Sequence, residues 1–572
     1  MAEASSLPTV AYFSMEVALE NAMPTYSGGL GVLAGDTLRS AADLGVPMVG
    51  VTLLHRRGYF FQRLDAEGRQ IEEPVEWPVD DFVKPLDGTC LVDIEGRQVM
   101  VRAWRYVITG ATGATVPVLM LDTDVEGNST FDRQLTDHLY GGDLRYRLCQ
   151  EVVLGVGGVR MLRVLGYTDV GRFHMNEGHA ALLALELFAE ELGASPTQRD
   201  HAVARVKRRC IFTTHTPVPA GHDQFALDLA QRVLTPAQME ALQSLGCCDT
   251  VLNMTFVALH LSDYINGVTK RHGDVSRSMF PGYPIGSITN GVHSVTWTAP
   301  EFQALYDKHI PDWRHENLAL RYAFGIPLEA IAQAHRDVKR RLVQEVNRVL
   351  NAGFDQDVLT LGFARRATAY KRPDLLFHDL ERLRAVAAPY GRLQLVFAGK
   401  AHPRDEGGKA LIRQIFQWGS QLKPEVTLAY LPNYDMELGL LLTAGSDVWL
   451  NTPQPPYEAS GTSGMKAAHN GVPSFSVLDG WWLEGHVEGM TGWAIGPRYD
   501  QPPAKRRDAE EAQELYAKLE RTILPLYHHH PVGWTEVMRY AIALNASFFN
   551  THRMMYQYAV HAYRNRGSHE QR

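Results

Sequence analysis

The chain has 572 residues, 45% of them apolar and 21% charged, with a formal net charge of -8. That is ordinary globular composition with chain enough for three or four domains' worth of core, and it excludes a disordered or fibrous protein. No basic stripe suggests nucleic acid, and no apolar run is long enough for a membrane span, so a neutral or mildly anionic small substrate fits best.

The start, "MAEASSLPTV", lacks a basic region followed by an apolar one, so no signal peptide is expected. Five cysteines, an odd number, give neither a disulfide framework nor zinc spacing, and Cys247-Cys248 read as buried thiols. A reducing cytoplasm is the expected compartment, and no metal site is expected.

"VAYFSM" reads as a strand, "LAGDTLRSAADLG" as a helix stopping at Gly45, and "VPMVGVTLL" as a buried strand. Residues from about 60 to 121 carry alternating and turn-forming stretches and read as an antiparallel insertion. "GRFHMNEG", "CIFTTHT" and "IGSITNG" continue the strands. After Trp297 come a linker and a long helix, "LEAIAQAHRDVKRRLVQEVNRVL". A second alternation follows, with strands "VLTLGFARR", "LQLVFAGK", "VTLAYLPNY", "DVWLNTP" and "VPSFSVLD".

Apolar strands alternating with amphipathic helices predict an α/β fold of two doubly wound, Rossmann-like domains facing a cleft. The expected division is residues 1–297, residues 298–533, and a terminal helix within 534–572 packing back on the first domain.

Gly29-Leu-Gly31-Val-Leu-Ala34 matches a dinucleotide-binding fingerprint, but its context is wrong. The preceding strand ends well before the glycines, and no acid lies between Asp43 and Asp65 to hold a ribose. Gly28, Gly29 and Gly31 at a helix start still suit a phosphate, the alternative being a plain tight turn. In "ARRATAYKRPD", the cations Arg365, Arg366, Lys371 and Arg372 follow a buried strand, where they point into a cleft; a solvated patch is the alternative.

"EASGTSGMKAAHNG" poses a sharper problem. A helix beginning near Ser460 or Thr462 and stopping at Asn470-Gly471 carries Lys466 near its electropositive end, which favours anions. Either Lys466 is modified or paired with an anion, or it is a surface lysine reaching away.

These segments, with "YFSMEVALE", "YSGGLGVLAGD", "NEGHAAL", "TTHTPVPAGH", "ITNGVHSVTW" and "LPNYDMELG", resemble the α-glucan phosphorylases, in particular their short bacterial subgroup. The resemblance implies a GT-B arrangement and pyridoxal 5′-phosphate bound as a Schiff base to Lys466. It implies reversible phosphorolysis of terminal α-1,4-glucosyl bonds, with retention. The partners are then an α-1,4-glucan or maltooligosaccharide, inorganic phosphate and glucose 1-phosphate, and a homodimer is a candidate assembly.

Carried over by motif, Arg366 and Lys371 hold the substrate phosphate with the Gly29 N–H, beside Gly28. Arg365, Thr462 and Ser463 lie by the cofactor phosphate. Glu458, Ser460, Gly461 and Asn290 bind glucosyl hydroxyls, and His215 stands beside the sugar ring. Tyr12, Trp297 and Tyr434 match aromatics around the cofactor, or are plain core. Asp435 stands where long family members have arginine, so another cation must serve there. "PQPPY" before Glu458 lacks expected arginines, and the short start predicts no nucleotide switch. Trp481-Trp482 reads as a sugar platform or as core, and His528-His529-His530 as a loop. The rival functions are a nucleotide-sugar glucosyltransferase of starch-synthase type and a non-catalytic glucan-binding protein.

Overall fold

The computed structural model describes residues 9–194, 199–218, 221–247, 250–498 and 506–564. The start through residue 8 and Cys248 lie outside that set. Cys90, Cys149, Cys210 and Cys247 are buried. Among the described residues, no helix is long and apolar enough to cross a membrane. Two compact units emerge: Met1–Phe60 with Pro74–Thr289 and Met554–Arg572, and Phe61–Glu73 with Asn290–Arg553.

The first unit is built on nine strands: β1 (Thr9–Ser14), β2 (Met48–Leu53), β3 (Lys84–Ile94), β4 (Arg97–Thr109), β5 (Thr115–Asp122), β6 (Val170–Asn176), β7 (Cys210–Thr213), β8 (Tyr264–Gly267) and β9 (Ile285–Ser287). Their order is β9-β8-β7-β6-β1-β2-β5-β4-β3. All neighbours are parallel except β3, β4 and β5, which meander antiparallel at one edge. The strand order reverses between β1 and β6, and loops leaving their carboxyl ends open on that switch point.

Helix α1 (Gly29–Asp43) joins β1 to β2. It ends where the sequence predicts, with Gly45 in the left-handed region (φ +63) and Val46 N–H closing on Ala41 O at 2.9 Å. Gly35 is required by packing: a Cβ there would lie 2.0 Å from Ala18 O. The terminal segment completes this unit. Tyr563 Oη meets His174 Nδ1 at 2.9 Å, and Asn266 Nδ2 donates to Tyr558 Oη at 3.0 Å.

The second unit holds six parallel strands: β10 (Thr360–Ala364), β11 (Leu393–Ala398), β12 (Val426–Leu431), β13 (Val448–Asn451), β14 (Ser474–Val477) and β15 (Gly492–Ile495). The order β12-β11-β10-β13-β14-β15 reverses between β10 and β13. The long helix α2 (Leu328–Leu350) buries one stripe, including Ile331, Val338, Leu342 and Val346. Both units are thus α/β with mainly parallel sheets, as the alternation predicts.

The stretch read as one insertion divides. The antiparallel hairpin Phe61–Leu64 with Gln70–Glu73 belongs to the second unit, where Gln62 Nε2 donates to Gly399 O at 3.0 Å. The continuous terminal helix is also corrected: helix Pro531–Tyr540 and its extension through Ala546 give way before a new helix, Thr551–Tyr558. Asn550 caps the new start, its Oδ1 accepting from Arg553 N–H at 2.9 Å. The histidine run is helical rather than a loop, His528 and His529 closing helix Leu524–His529 with Tyr390 stacked 4.8 Å from His528. Trp481 and Trp482 are core, and Trp481 meets Phe549 edge-on at 4.9 Å.

Candidate functional site

The loops at the first unit's switch point are held by two buried carboxylates that no motif singles out. After β1, Glu16 Oε2 accepts from the N–H groups of Ser27 (2.6 Å) and Gly28 (3.1 Å), and Oε1 from Tyr140 Oη–H (2.9 Å). The Gly28 N–H is therefore spent inside the protein. Gly29 opens α1, whose first N–H groups have no intrahelical partner, and no side chain caps them. A Cβ built on Gly29 meets open space, whereas one on Gly31 would lie 2.8 Å from Glu16 Oε2. Packing thus demands glycine at 31 but not at 29, where the bare backbone leaves room for a ligand.

After β6, Glu177 lies at φ +76 and ψ 170. That region is open essentially to glycine alone and costs ~1–3 kcal/mol for other residues. After β7 comes His215. Ser14 Oγ–H donates to Glu16 O, so Ser14 Oγ accepts from Asn176 Nδ2 (3.0 Å). Asn176 Oδ1 then faces His215 Nε2 at 2.7 Å, which makes Nε2 the protonated nitrogen and leaves Nδ1 an acceptor. Burial and the neighbouring histidines push the His215 imidazole down to about 3, so it is neutral. Tyr12 also belongs to this unit, its ring edge-on to His174 at 4.9 Å.

In the second unit the site residues leave the carboxyl ends of β10 and β13, again at the switch point. Arg365 Nη2 lies 2.7 Å from Glu458 Oε2, and Lys371 Nζ donates to both Glu458 oxygens at 3.0 and 2.9 Å. Burial pushes the Glu458 carboxyl up, but the Arg365 and Lys371 charges outweigh it and hold it below the ordinary carboxylate range. Arg366 is exposed on the same loop. Arg372 corrects the reading of four equivalent cations. It is buried, donates to Thr452 O and Pro453 O, and pairs with Asp508 (2.8 Å) and Glu511 (2.6 Å). Its charge is spent pinning the "PQPPY" loop, which Gln454 N–H also ties to Tyr370 O at 2.8 Å.

Helix α3 (Ser463–Ala468) is a six-residue turn that places Lys466 fourth, after Gly461 at φ +85. Asn470-Gly471 ends it, with Gly471 at φ +69 and Val472 N–H on Ala467 O. Lys466 is buried, so it does not reach to the surface. Its Nζ sits 3.4 Å from the centroid of the buried Trp297 ring. Ser463 Oγ accepts from Trp449 Nε1 at 3.0 Å, and Thr462 immediately precedes the helix. Among the described residues, Arg365 Nη1, Thr368 Oγ1, Ser460 Oγ and Asn290 Oδ1 are buried polar atoms with no hydrogen-bond partner. Such orphans are costly; the open donors at Arg365 Nη1, Thr368 and Ser460 suit an anionic ligand, whereas Asn290 Oδ1 can only accept.

Asp435 has a structural explanation: its Oδ1 accepts from Leu438 N–H at 2.9 Å, capping helix Met436–Gly445. Beside it, burial lowers the Lys400 ammonium to about 8, with Asp435 pulling it back up. Lys400, next to Asp435, is a cation that the sequence did not single out. Burial and Asp435 push the adjacent Tyr434 phenol up, and Arg365 opposes them.

A family model for carbohydrate phosphorylases matches residues 236–522. The chain is 37% identical to a maltodextrin phosphorylase of Thermococcus litoralis over 96% of this chain and 70% of that protein. It is 38% identical to a glycogen phosphorylase of Mycobacterium tuberculosis, over 98% and 71%. With a glycogen phosphorylase of Aquifex aeolicus it shares 35% identity over 96% and 85%. Likeness of this extent, with a buried lysine in "GTSGMK" and cations after β10, answers what the chain is: it belongs to the carbohydrate phosphorylase family.

Proposed function

We propose that the protein catalyses reversible phosphorolysis of terminal α-1,4-glucosyl bonds in glucans or maltooligosaccharides, releasing α-glucose 1-phosphate with retention. The observation that carries this reading is the second unit's cluster: Arg365 and Lys371 closed on Glu458, with orphaned donors around them and Lys466 buried close by in sequence. An arriving phosphate dianion offers Lys371 a better-matched partner than a monoanionic carboxylate, as a cofactor phosphate would offer Arg365. Lys371 and Arg366 hold it, and Glu458, relieved of its cations, accepts from glucosyl hydroxyls together with Ser460 and Asn290. The carbonyl of His215 faces the positive charge that develops at the sugar. Its neutral ring adds an acceptor at Nδ1 without placing a cation there. Gly29 offers its N–H to the phosphate.

The buried lysine, the orphaned hydroxyls and the cations suit pyridoxal 5′-phosphate, so the residues present fit the group. Lys466 would hold it covalently, with Trp297 and Tyr434 about the ring and Arg365, Thr462, Ser463 and Lys400 serving its phosphate. When bound, it supplies a titratable phosphate that shares a proton with the substrate phosphate. The protein's own part is to gather two anions with fixed cations, to accept hydroxyl protons at Glu458, and to keep unneeded cations such as Arg372 tied elsewhere. The test is glucose 1-phosphate release from maltooligosaccharide in phosphate buffer, with borohydride reduction and peptide mapping for the cofactor. No release from any α-1,4-glucan by cofactor-loaded protein sinks the reading.

A further inference from the structure

We infer that Glu177 is a positioning residue for His215, acting through the main chain of the turn that follows β7. The inference rests on the reading that His215 lines the glucosyl site. Glu177 Oε2 accepts from His215 N–H at 2.7 Å and from Thr216 Oγ1–H at 3.0 Å, so one oxygen grips both sides of His215. Oε1 accepts from Gly178 N–H at 3.1 Å, and the Glu177 N–H donates to Thr213 O at 2.9 Å. The side chain is buried, and both of its oxygens are committed to internal donors.

The backbone shows what this grip requires. Glu177 leaves the carboxyl end of β6, beside β7, in a conformation that glycine would adopt without strain (φ +76, ψ 170). Glycine would have no carboxylate. A glutamate in ordinary extended backbone would project its side chain to one face of the sheet instead of across to the next loop. The strained conformation is what lets a carboxylate one residue past β6 reach the loop after β7. The ring of His215 is held separately by Asn176, the residue just before Glu177. Two consecutive residues thus fix the two halves of His215, Asn176 its imidazole and Glu177 its main chain. A group that fixes a carbonyl toward developing charge contributes in the transition state more than in the ground state.

The test uses the full chain loaded with pyridoxal 5′-phosphate and the variants Glu177→Gln and Glu177→Gly. The amide of glutamine cannot accept at both ends, and glycine removes the strain along with the grip. Both are expected to lower kcat by about tenfold to a hundredfold, with KM for phosphate and for maltooligosaccharide within about twofold of wild type. Amide hydrogen exchange at His215 and Thr216 is expected to rise about tenfold or more in both variants. A merely structural role would make Glu177→Gly at least as active as wild type, or would cut rate only in proportion to folded protein. Either result overturns the inference, as does unchanged exchange at His215. If the wild-type chain releases no glucose 1-phosphate, the proposed function fails, and the exchange measurement still decides whether Glu177 holds the turn.

Discussion

The two switch points are built in opposite ways. At the first unit's switch point two buried carboxylates are saturated by internal donors: Glu16 holds Ser27, Gly28 and Tyr140, and Glu177 holds Gly178, His215 and Thr216. His215, whose N–H Glu177 holds, is neutral. In the second unit, cations outnumber their carboxylate. Arg365 and Lys371 share Glu458, and Arg365 Nη1, Thr368 Oγ1 and Ser460 Oγ have no partner. A saturated network fixes backbone, and an unsaturated one calls for a ligand. The first unit therefore reads as the part that shapes a sugar site, and the second as the part that holds anions.

The largest expected effect tests the anion-holding half. Lys466→Ala should lower kcat by about 10³-fold, or ~4 kcal/mol of barrier, and should abolish the borohydride-fixed label on the peptide carrying residue 466. A label that persists on another lysine breaks the assignment. Next come Lys371→Ala and Arg366→Ala, each expected to cost about a hundredfold in phosphorolysis, ~3 kcal/mol. Cofactor content should stay near wild type in Arg366→Ala. Wild-type kinetics in both would mean that these cations do not hold the substrate phosphate, and the contrast between the units would collapse.

A third prediction separates room from packing in the first unit. Gly29→Ala places a methyl group in open space and gains helix propensity. Stability should rise, by up to ~1 kcal/mol, while kcat/KM for phosphate falls about tenfold. A thermal midpoint that rises with unchanged phosphate kinetics would remove Gly29 from the site.

What was legible in the sequence, and what was not, follows the range of the interactions. The stop of α1 at Gly45, the parallel alternation and the basic loop after β10 are local patterns with local causes. Arg372 looked equivalent to its neighbours because the acids that consume it, Asp508 and Glu511, lie more than a hundred residues away in sequence. Glu16 and Glu177 were passed over because a lone acid carries no spacing signal, and their partners gather only when three parallel strands come together. Two features could have been read. Asn550-Thr551 is a helix-start signature inside an apparently continuous helix, and Asp435 three residues before Leu438 is a cap rather than a failed arginine.

The smallest effect on rate is also the sharpest test of the contrast, because it is read in stability. His55 and His272 are held down at about 4, and His174 at about 3, each chiefly by burial, and all three belong to the first unit. In the second, His469 is held at about 4, again by burial. Each of these folds neutral, whereas an unfolded histidine takes a proton near pH 6.5. Below that pH the unfolded chain binds more protons than the folded one, so stability falls as pH falls. The loss begins near pH 6.5, continues to about pH 4 or 3, and amounts to about 1.4 kcal/mol per pH unit for each such histidine. With His215, held at about 3, also in the first unit, the balance is four against one, and segments of the first unit should lose hydrogen-exchange protection before those of the second as the full chain is taken from pH 7 to pH 4.5, after correction for intrinsic exchange. His174→Gln, which removes one titration, should narrow the gap. Simultaneous loss in both units would show that they unfold as one cooperative body and that these buried histidines do not set which part yields to acid.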